Sequence, residues 1–204
     1  LSKGHACLAY YALLYLLNYL DEKDLELFET DGAALLGHPI MNLDKGIEFS
    51  TGSLGMGLSI GIGQAIAALR KKKDYQIYVI MGDGETNEGS VWEAAMAAPN
   101  FKLKNLNIIV DKNNYQQTGS TEIIMKNDNL SKKFLSFGWE VIEIDGHNHS
   151  ELEKAFNHKS NSPKAVIANT IKGKGFTFSE NNNSWHHAIL TKSVYEEALK
   201  EIKI

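Results

Sequence analysis

Gly82-Asp83-Gly84-Glu85-Thr86-Asn87-Glu88-Gly89 and Val110-Asp111-Lys112-Asn113-Asn114 each finish an apolar, β-branched run, residues 76–81 and 106–111. Short runs of this kind read as buried strands. The first strand ends at a carboxylate, Asp83, and the second at a pair of amides, Asn113 and Asn114. Hard cations such as Mg²⁺ take oxygen ligands and keep positions free for substrate phosphates. An aspartate, an asparagine oxygen and a nearby backbone carbonyl suit that task. Gly84 removes a side chain where an anion would approach the backbone. Residues 85–100 read as the start of a helix, whose N-terminus favours negative charge. The plainer reading of the same text is a strand–turn–helix with an acidic turn.

Working outward, further strands are expected at 140–145 and 165–170. Helices are expected at 2–19, 21–28, 52–70, 91–98, 130–137, 150–157 and 192–202, with a loop over 30–50. Residues 2–19 read as buried. Ser150 and Glu153 have capping-box spacing at the start of their helix. Gly55, Gly57, Gly61 and Gly63 in the 52–70 segment each cost about 1 kcal/mol relative to alanine. Close packing against another backbone would offset that. Strands alternating with helices imply an α/β fold: one domain over 1–204, with a parallel sheet covered by helices on both faces. Ligands in such sheets bind beyond the carboxyl ends of the strands, where Asp83 and Asn113 stand.

The chain has 204 residues, enough for one large domain. Its 43% apolar content is ordinary. The net charge of −4 argues against a nucleic-acid partner, which needs a basic surface. Lys71-Lys72-Lys73 reads as a solvated helix end. The longest apolar run, residues 6–17, is short of the roughly 20 residues a membrane span needs. Cys7 is the only cysteine, so no internal disulfide forms; it reads as a small core residue and fits a reducing, cytoplasmic location. Leu1, not methionine, opens the chain inside a motif, so residues upstream are expected.

Gly82-Asp83-Gly84, with Asn113 about thirty positions on, resembles the diphosphate–metal motif of thiamine diphosphate enzymes. Glu88-Gly89-Ser90-Val91-Trp92-Glu93-Ala94 resembles the transketolase branch, in particular its separately encoded N-terminal halves. Three more segments agree: Ser2-Lys3-Gly4-His5-Ala6, Gly37-His38-Pro39 and Trp185-His186-His187. The resemblance runs from Ser2 to about Thr191. It implies the diphosphate-binding (PP) fold, with thiamine diphosphate and Mg²⁺, or Ca²⁺ or Mn²⁺, as cofactors. The implied reaction is transfer of a two-carbon ketol unit from a ketose to an aldose.

Residue by residue, the resemblance implies that Asp83, Asn113 and the backbone oxygen of Tyr115 hold the metal. Asn114 is the rival to Asn113. His5, His38 and His186 would surround the diphosphate and the reacting carbons, where imidazole can donate to an anion or relay a proton. Taken alone, each reads more readily as a structural or surface histidine, and only together, each inside its own motif, do they point to a site; His147, His149 and His158 are expected at the surface. Gly52, Ser53 and Leu54, in Thr51-Gly52-Ser53-Leu54-Gly55, match a loop facing the aminopyrimidine. Gln117 matches a position near the thiazolium. Glu88 and Glu93 match glutamates at a subunit contact, proposed to link two cofactor sites; their plain reading is as acids at a helix start. Lys172 and Lys174 match a loop near the phosphates. His187 replaces the family's glycine.

No counterpart is present for the family's cofactor-activating glutamate or for the arginines that grip a sugar phosphate. A C-terminal, pyrimidine-binding subunit is therefore expected as partner, in a two-plus-two assembly, acting on sugars or sugar phosphates. The rival readings are a deoxyxylulose-phosphate synthase-like or 2-oxoacid dehydrogenase-like component, or a non-catalytic binding subunit.

Overall fold

The strands β1 (Ile77–Gly82), β2 (Leu106–Lys112), β5 (Glu140–Asp145) and β6 (Lys164–Asn169) form one parallel sheet in the order β1-β2-β6-β5. The computed structural model describes residues 1–202; Lys203 and Ile204, the end of the expected 1–204 domain, lie outside the described residues. The central strands, β2 and β6, are almost wholly buried, which is why their sequences are continuous apolar runs. The register sets Gly82 opposite Asp111, so the chain leaves β1 and β2 at the same edge.

One face of the sheet is covered by α3 (Gly57–Arg70), α4 (Gly89–Asn100) and α6 (Leu130–Ser136). Leu58, Val79, Met81, Val91, Ile108, Phe134 and Trp139 meet there in the main core. The other face carries α7 (His149–Asn157), which packs Ala155 and Leu152 against Ile109, Ile144 and Val166. Cover on that side thins at β1, where Tyr78 meets Phe156 of α7 edge-on at 6.1 Å but Tyr78 and Ile80 stay exposed. Buried Lys164 donates to the carbonyls of Ala155 at 2.6 Å and His158 at 2.8 Å. Its charge thus closes the C-terminal end of α7.

Several boundaries differ from expectation. The 2–19 helix is a 3₁₀ turn, Gly4–Ala6, followed by α1 (Cys7–Leu16). It is not buried throughout: Cys7, Tyr11 and Leu14 pack with Leu35 and Ile47, but Leu16 is 74% exposed. The acidic helix is α2 (Glu22–Glu26), capped by Asp21. α3 begins at Gly57, because residues 52–55 form a loop. Its glycines have separate reasons: a Cβ on Gly61 would come within 2.6 Å of Val79, while one on Gly63 would meet nothing within 4 Å.

Residues 85–100 are not one helix: a 3₁₀ turn, Gly84–Asn87, breaks at Glu88 before α4 starts at Gly89. Ser150 does not cap α7; the Asn148 side chain does, accepting from the Ser150 and Glu151 amides. A small hairpin, β3 (Tyr115–Gln116) with β4 (Gly119–Ser120), and a short helix, α5 (Thr121–Ile124), were not expected. The last helix is α8 (Lys192–Glu201). Among the described residues no helix is long and apolar enough to cross a membrane.

Candidate active site

Asp83 is the first residue beyond β1, and its N–H still reaches across to the Asp111 carbonyl at 3.1 Å. Its buried carboxylate accepts the Gly84 amide at 2.8 Å and the Asn114 amide at 2.7 Å. Asn114 has a left-handed backbone, φ 63°, which turns its N–H toward Asp83. Asn114 thus serves through its main chain, and its side chain is exposed. Burial pushes the Asp83 carboxyl up to about 6; the two amide donors oppose the shift and the nearby Asp111 charge adds to it. The Asp83 carbonyl is held by Thr86 Oγ1 and by Asn127 Nδ2, each at 2.6 Å.

Asn113 follows β2. Its Oδ1 accepts the Tyr115 amide at 2.9 Å, and its Nδ2 donates to Asp111 at 3.1 Å. A Cβ on Gly84 would lie 2.8 Å from the Gln116 side chain, so glycine makes room for the hairpin beside Asp83. Tyr115 donates its hydroxyl to the Asn181 carbonyl at 2.9 Å. Exposed Gln117 accepts Asn183 Nδ2 on its carbonyl at 2.9 Å.

A buried carboxylate with no ion-pair partner among the described residues, at the strand end beside the one that Asn113 follows, is chemistry that suits a hard cation. Among the described residues no group of three or more His, Cys, Asp and Glu is arranged to hold a metal. A mixed set of carboxylate, amide and carbonyl oxygens is therefore the donor set to consider, and Asp83, Asn113 and Tyr115 fit it.

The histidines gather on the same rim. The His5 and His186 rings are 5.1 Å apart, and Lys172, just beyond β6, brings Nζ to 3.4 Å from His186 Nδ1. His5 is partly exposed; the burial of the rest of it first, then the charges of Lys3, His186, Lys172 and His38, pulls it down to about 4. Burial and Lys172 lower His186 likewise. Burial, reinforced by Lys3, also lowers Lys172. His38 packs against Gly52, where a Cβ would sit 3.0 Å from its ring. The residue after His186 needs no glycine: His187 has an extended backbone, φ −144°. Trp185 packs on Phe178 at 4.8 Å, and Phe178 stacks on Phe176 at 5.4 Å, so an aromatic cluster supports the His186 segment.

The loop with Gly52, Ser53 and Leu54 is tied down at Gly55. Its N–H donates to buried Glu85 at 2.9 Å and its carbonyl accepts Ser90 Oγ at 3.1 Å. Glu85 also accepts the Gly82 amide at 3.1 Å and the Ser2 hydroxyl. Glu88 and Glu93 are exposed, with no side-chain hydrogen bond or ion pair among the described residues, so this chain alone does not bring them into the basin. His147, His149 and His158 are exposed as expected; His147 accepts the Ile171 amide and His158 meets Glu140. Sequence reasoning missed Glu85, Asp111 and Thr170. Only the strand register, which aligns Gly82 with Asp111 and Asp111 with Ala168, points to the last two. A groove of about 90 Å³ along the outer edge of β1, lined by Leu1, Phe49, Ile60 and Tyr78 among others, touches these residues at Ser2.

The family model described as transketolase, thiamine diphosphate binding domain, matches residues 1–202. The chain is 40% identical over 205 residues to an apulose-4-phosphate transketolase subunit of Phocaeicola vulgatus, covering 99% of this chain and 73% of that protein. It is 39% identical over 206 residues to the 6-deoxy-6-sulfo-D-fructose transketolase subunit SqwG of a Clostridium species, covering 100% and 75%. The solved transketolase of Campylobacter jejuni superposes with a TM-score of 0.92 at 34% identity, over 98% of this chain and 33% of that one. The chain thus spans about a third of that solved transketolase chain. Family match, sequence identity and superposition agree: the chain belongs to the transketolase family, in its thiamine diphosphate binding domain.

Proposed function

We propose that this chain is the diphosphate-binding subunit of a split transketolase. It binds thiamine diphosphate with Mg²⁺, or Ca²⁺ or Mn²⁺ in its place. With a C-terminal, pyrimidine-binding subunit it moves a two-carbon ketol unit from a ketose to an aldose, free or phosphorylated. One observation carries the reading: Asp83 and Asn113 follow adjacent, in-register parallel strands, on the rim where His5 and His186 meet. Relatives of similar extent that are themselves named as transketolase subunits support a companion chain. Oligomers are generally closed and symmetric, so a two-plus-two assembly is the simplest arrangement. The lone Cys7 supports a cytoplasmic setting.

When bound, thiamine diphosphate supplies the electron sink for breaking and making the bond beside a ketose carbonyl. Asp83 and Asn113, by side-chain oxygens, and Tyr115, by its carbonyl, would hold the cation. Gly84 leaves room beside Asp83, and Lys172 would meet the phosphates. Gly52, Ser53 and Leu54 would receive the aminopyrimidine, and Gln117 would border the thiazolium. His5 and His186, neutral near pH 7 by their lowered pKa values, accept and return protons at the substrate oxygens. His38 closes the same basin from the Gly52 side. Glu88 and Glu93, exposed on this chain, meet the neighbouring subunit.

The test is reconstitution. The chain alone and the chain with its companion are each given thiamine diphosphate, Mg²⁺, a ketose donor and an aldose acceptor. Ketol transfer is expected only with both chains and both cofactors. Turnover by this chain alone overturns the split-enzyme reading.

A further inference from the structure

Asp111 is a carboxylate that the proposed chemistry does not use. It is the penultimate residue of β2 and collects donors from three parts of the chain. Lys3, from the N-terminal motif, forms an ion pair with its Oδ2. Thr170, just past β6, donates its hydroxyl to Oδ1. Asn113 donates Nδ2 to Oδ2 at 3.1 Å.

The Asn113 amide is chemically two-faced: one end donates only and the other accepts only. Its Nδ2 meets a carboxylate and its Oδ1 meets the Tyr115 N–H. Reversing the amide would set oxygen against carboxylate and N–H₂ against N–H. A cation requires the oxygen end. Resting on the assignment of Asn113 as a metal ligand, we infer that Asp111 is a positioning residue. Anchored by Lys3 and Thr170, it fixes which end of the Asn113 amide is available to the cation. Groups that orient metal ligands in this way typically change affinity about 10–100-fold when altered.

The inference is tested on the complex of the chain with its companion subunit, at saturating thiamine diphosphate. Mn²⁺ is titrated and free Mn²⁺ is read by its EPR signal. Asp111→Asn is expected to weaken Mn²⁺ binding about 10–100-fold. The same change in an Asn113→Asp background is expected to cause no loss. A carboxylate at 113 has two equivalent oxygens and no wrong end, and removing the Asp111 charge relieves repulsion. A merely structural role would give the same loss in both backgrounds. If Asp111→Asn fails to assemble because Lys3 is left unpaired, the Lys3→Met/Asp111→Asn double variant removes both charges and is read instead. Unchanged Mn²⁺ affinity, or equal loss in both backgrounds, overturns the role of Asp111. No Mn²⁺ binding by the wild-type complex overturns the metal-site assignment itself.

Discussion

The carboxylate of Glu85 accepts the Gly55 amide at 2.9 Å across thirty residues of sequence. It joins the loop assigned to the aminopyrimidine to the turn that carries Asp83. Glu85→Ala strands the Gly55 and Gly82 amides and the Ser2 hydroxyl in a buried place. An unsatisfied buried donor costs roughly 1–3 kcal/mol. Urea unfolding should show a loss of roughly 3 kcal/mol. Glu85→Gln should fall between, since one amide end turns a donor toward a donor. Wild-type stability in Glu85→Ala would contradict the hydrogen-bonding role.

Asp83 is buried with its carboxyl raised to about 6 from an ordinary value of 3.8. The folded chain therefore binds the Asp83 proton more tightly than the unfolded chain does. Stability from this group is complete below about pH 4 and is lost as pH rises through about 6. The wild-type-minus-Asp83→Asn difference in unfolding free energy should fall across that window, by about 3 kcal/mol at most. Asp83→Ala should also abolish the Mg²⁺-dependent rise in melting temperature with thiamine diphosphate. A flat difference across pH would refute the shift; a retained rise would refute the ligand role.

His5→Ala, His38→Ala and His186→Ala should each lower turnover of the reconstituted enzyme by about 10²–10⁴-fold. Effects on unfolding should be small. Because His5 is held near 4, its folded form stays neutral where a free histidine would already be protonated. Stability from His5 should fall as pH drops from about 6.5 toward 4. Comparison with His5→Gln isolates that limb. Full turnover in all three variants would leave them as structural residues.

Glu88→Gln and Glu93→Gln should shift the stability of the unassembled chain by less than about 0.5 kcal/mol, as expected for exposed side chains. In the assembled enzyme each should alter the steepness of thiamine diphosphate binding. Identical binding curves for wild type and both variants would remove these glutamates from the subunit contact.

The strands were legible because β2 and β6 are buried on both faces, and continuous apolar text has few other uses. Asp83 and Asn113 were legible because each closes such a run. The N-cap of α7 was misread because Asn148 and Ser150 are both good caps, and only the Glu151 contact to the Asp145 amide at 2.8 Å sets where the helix starts. The break at Glu88 was hidden by favourable helix text on either side. The exposure of α1 was hidden because apolar residues occupy most of its circumference. Glu85 and Asp111 were visible as acids but not as hubs: their partners, Gly55 and Lys3, are far away in sequence, and nothing local announces a long-range hydrogen bond.

The aromatic cluster at Trp185 gives the molecule optical reporters in two different places. Trp139 sits in the core with its indole N–H on the Ala95 carbonyl at 2.7 Å, and Trp92 packs on Phe134 beside it. Trp185 stands outside that core, half-buried on Phe178 and adjacent to His186. Emission from the first two follows global unfolding, while quenching of the third follows events at the rim. With Trp92 and Trp139 changed to phenylalanine, the remaining fluorescence becomes a label-free titration signal for occupancy, readable by stopped flow before any sugar is turned over.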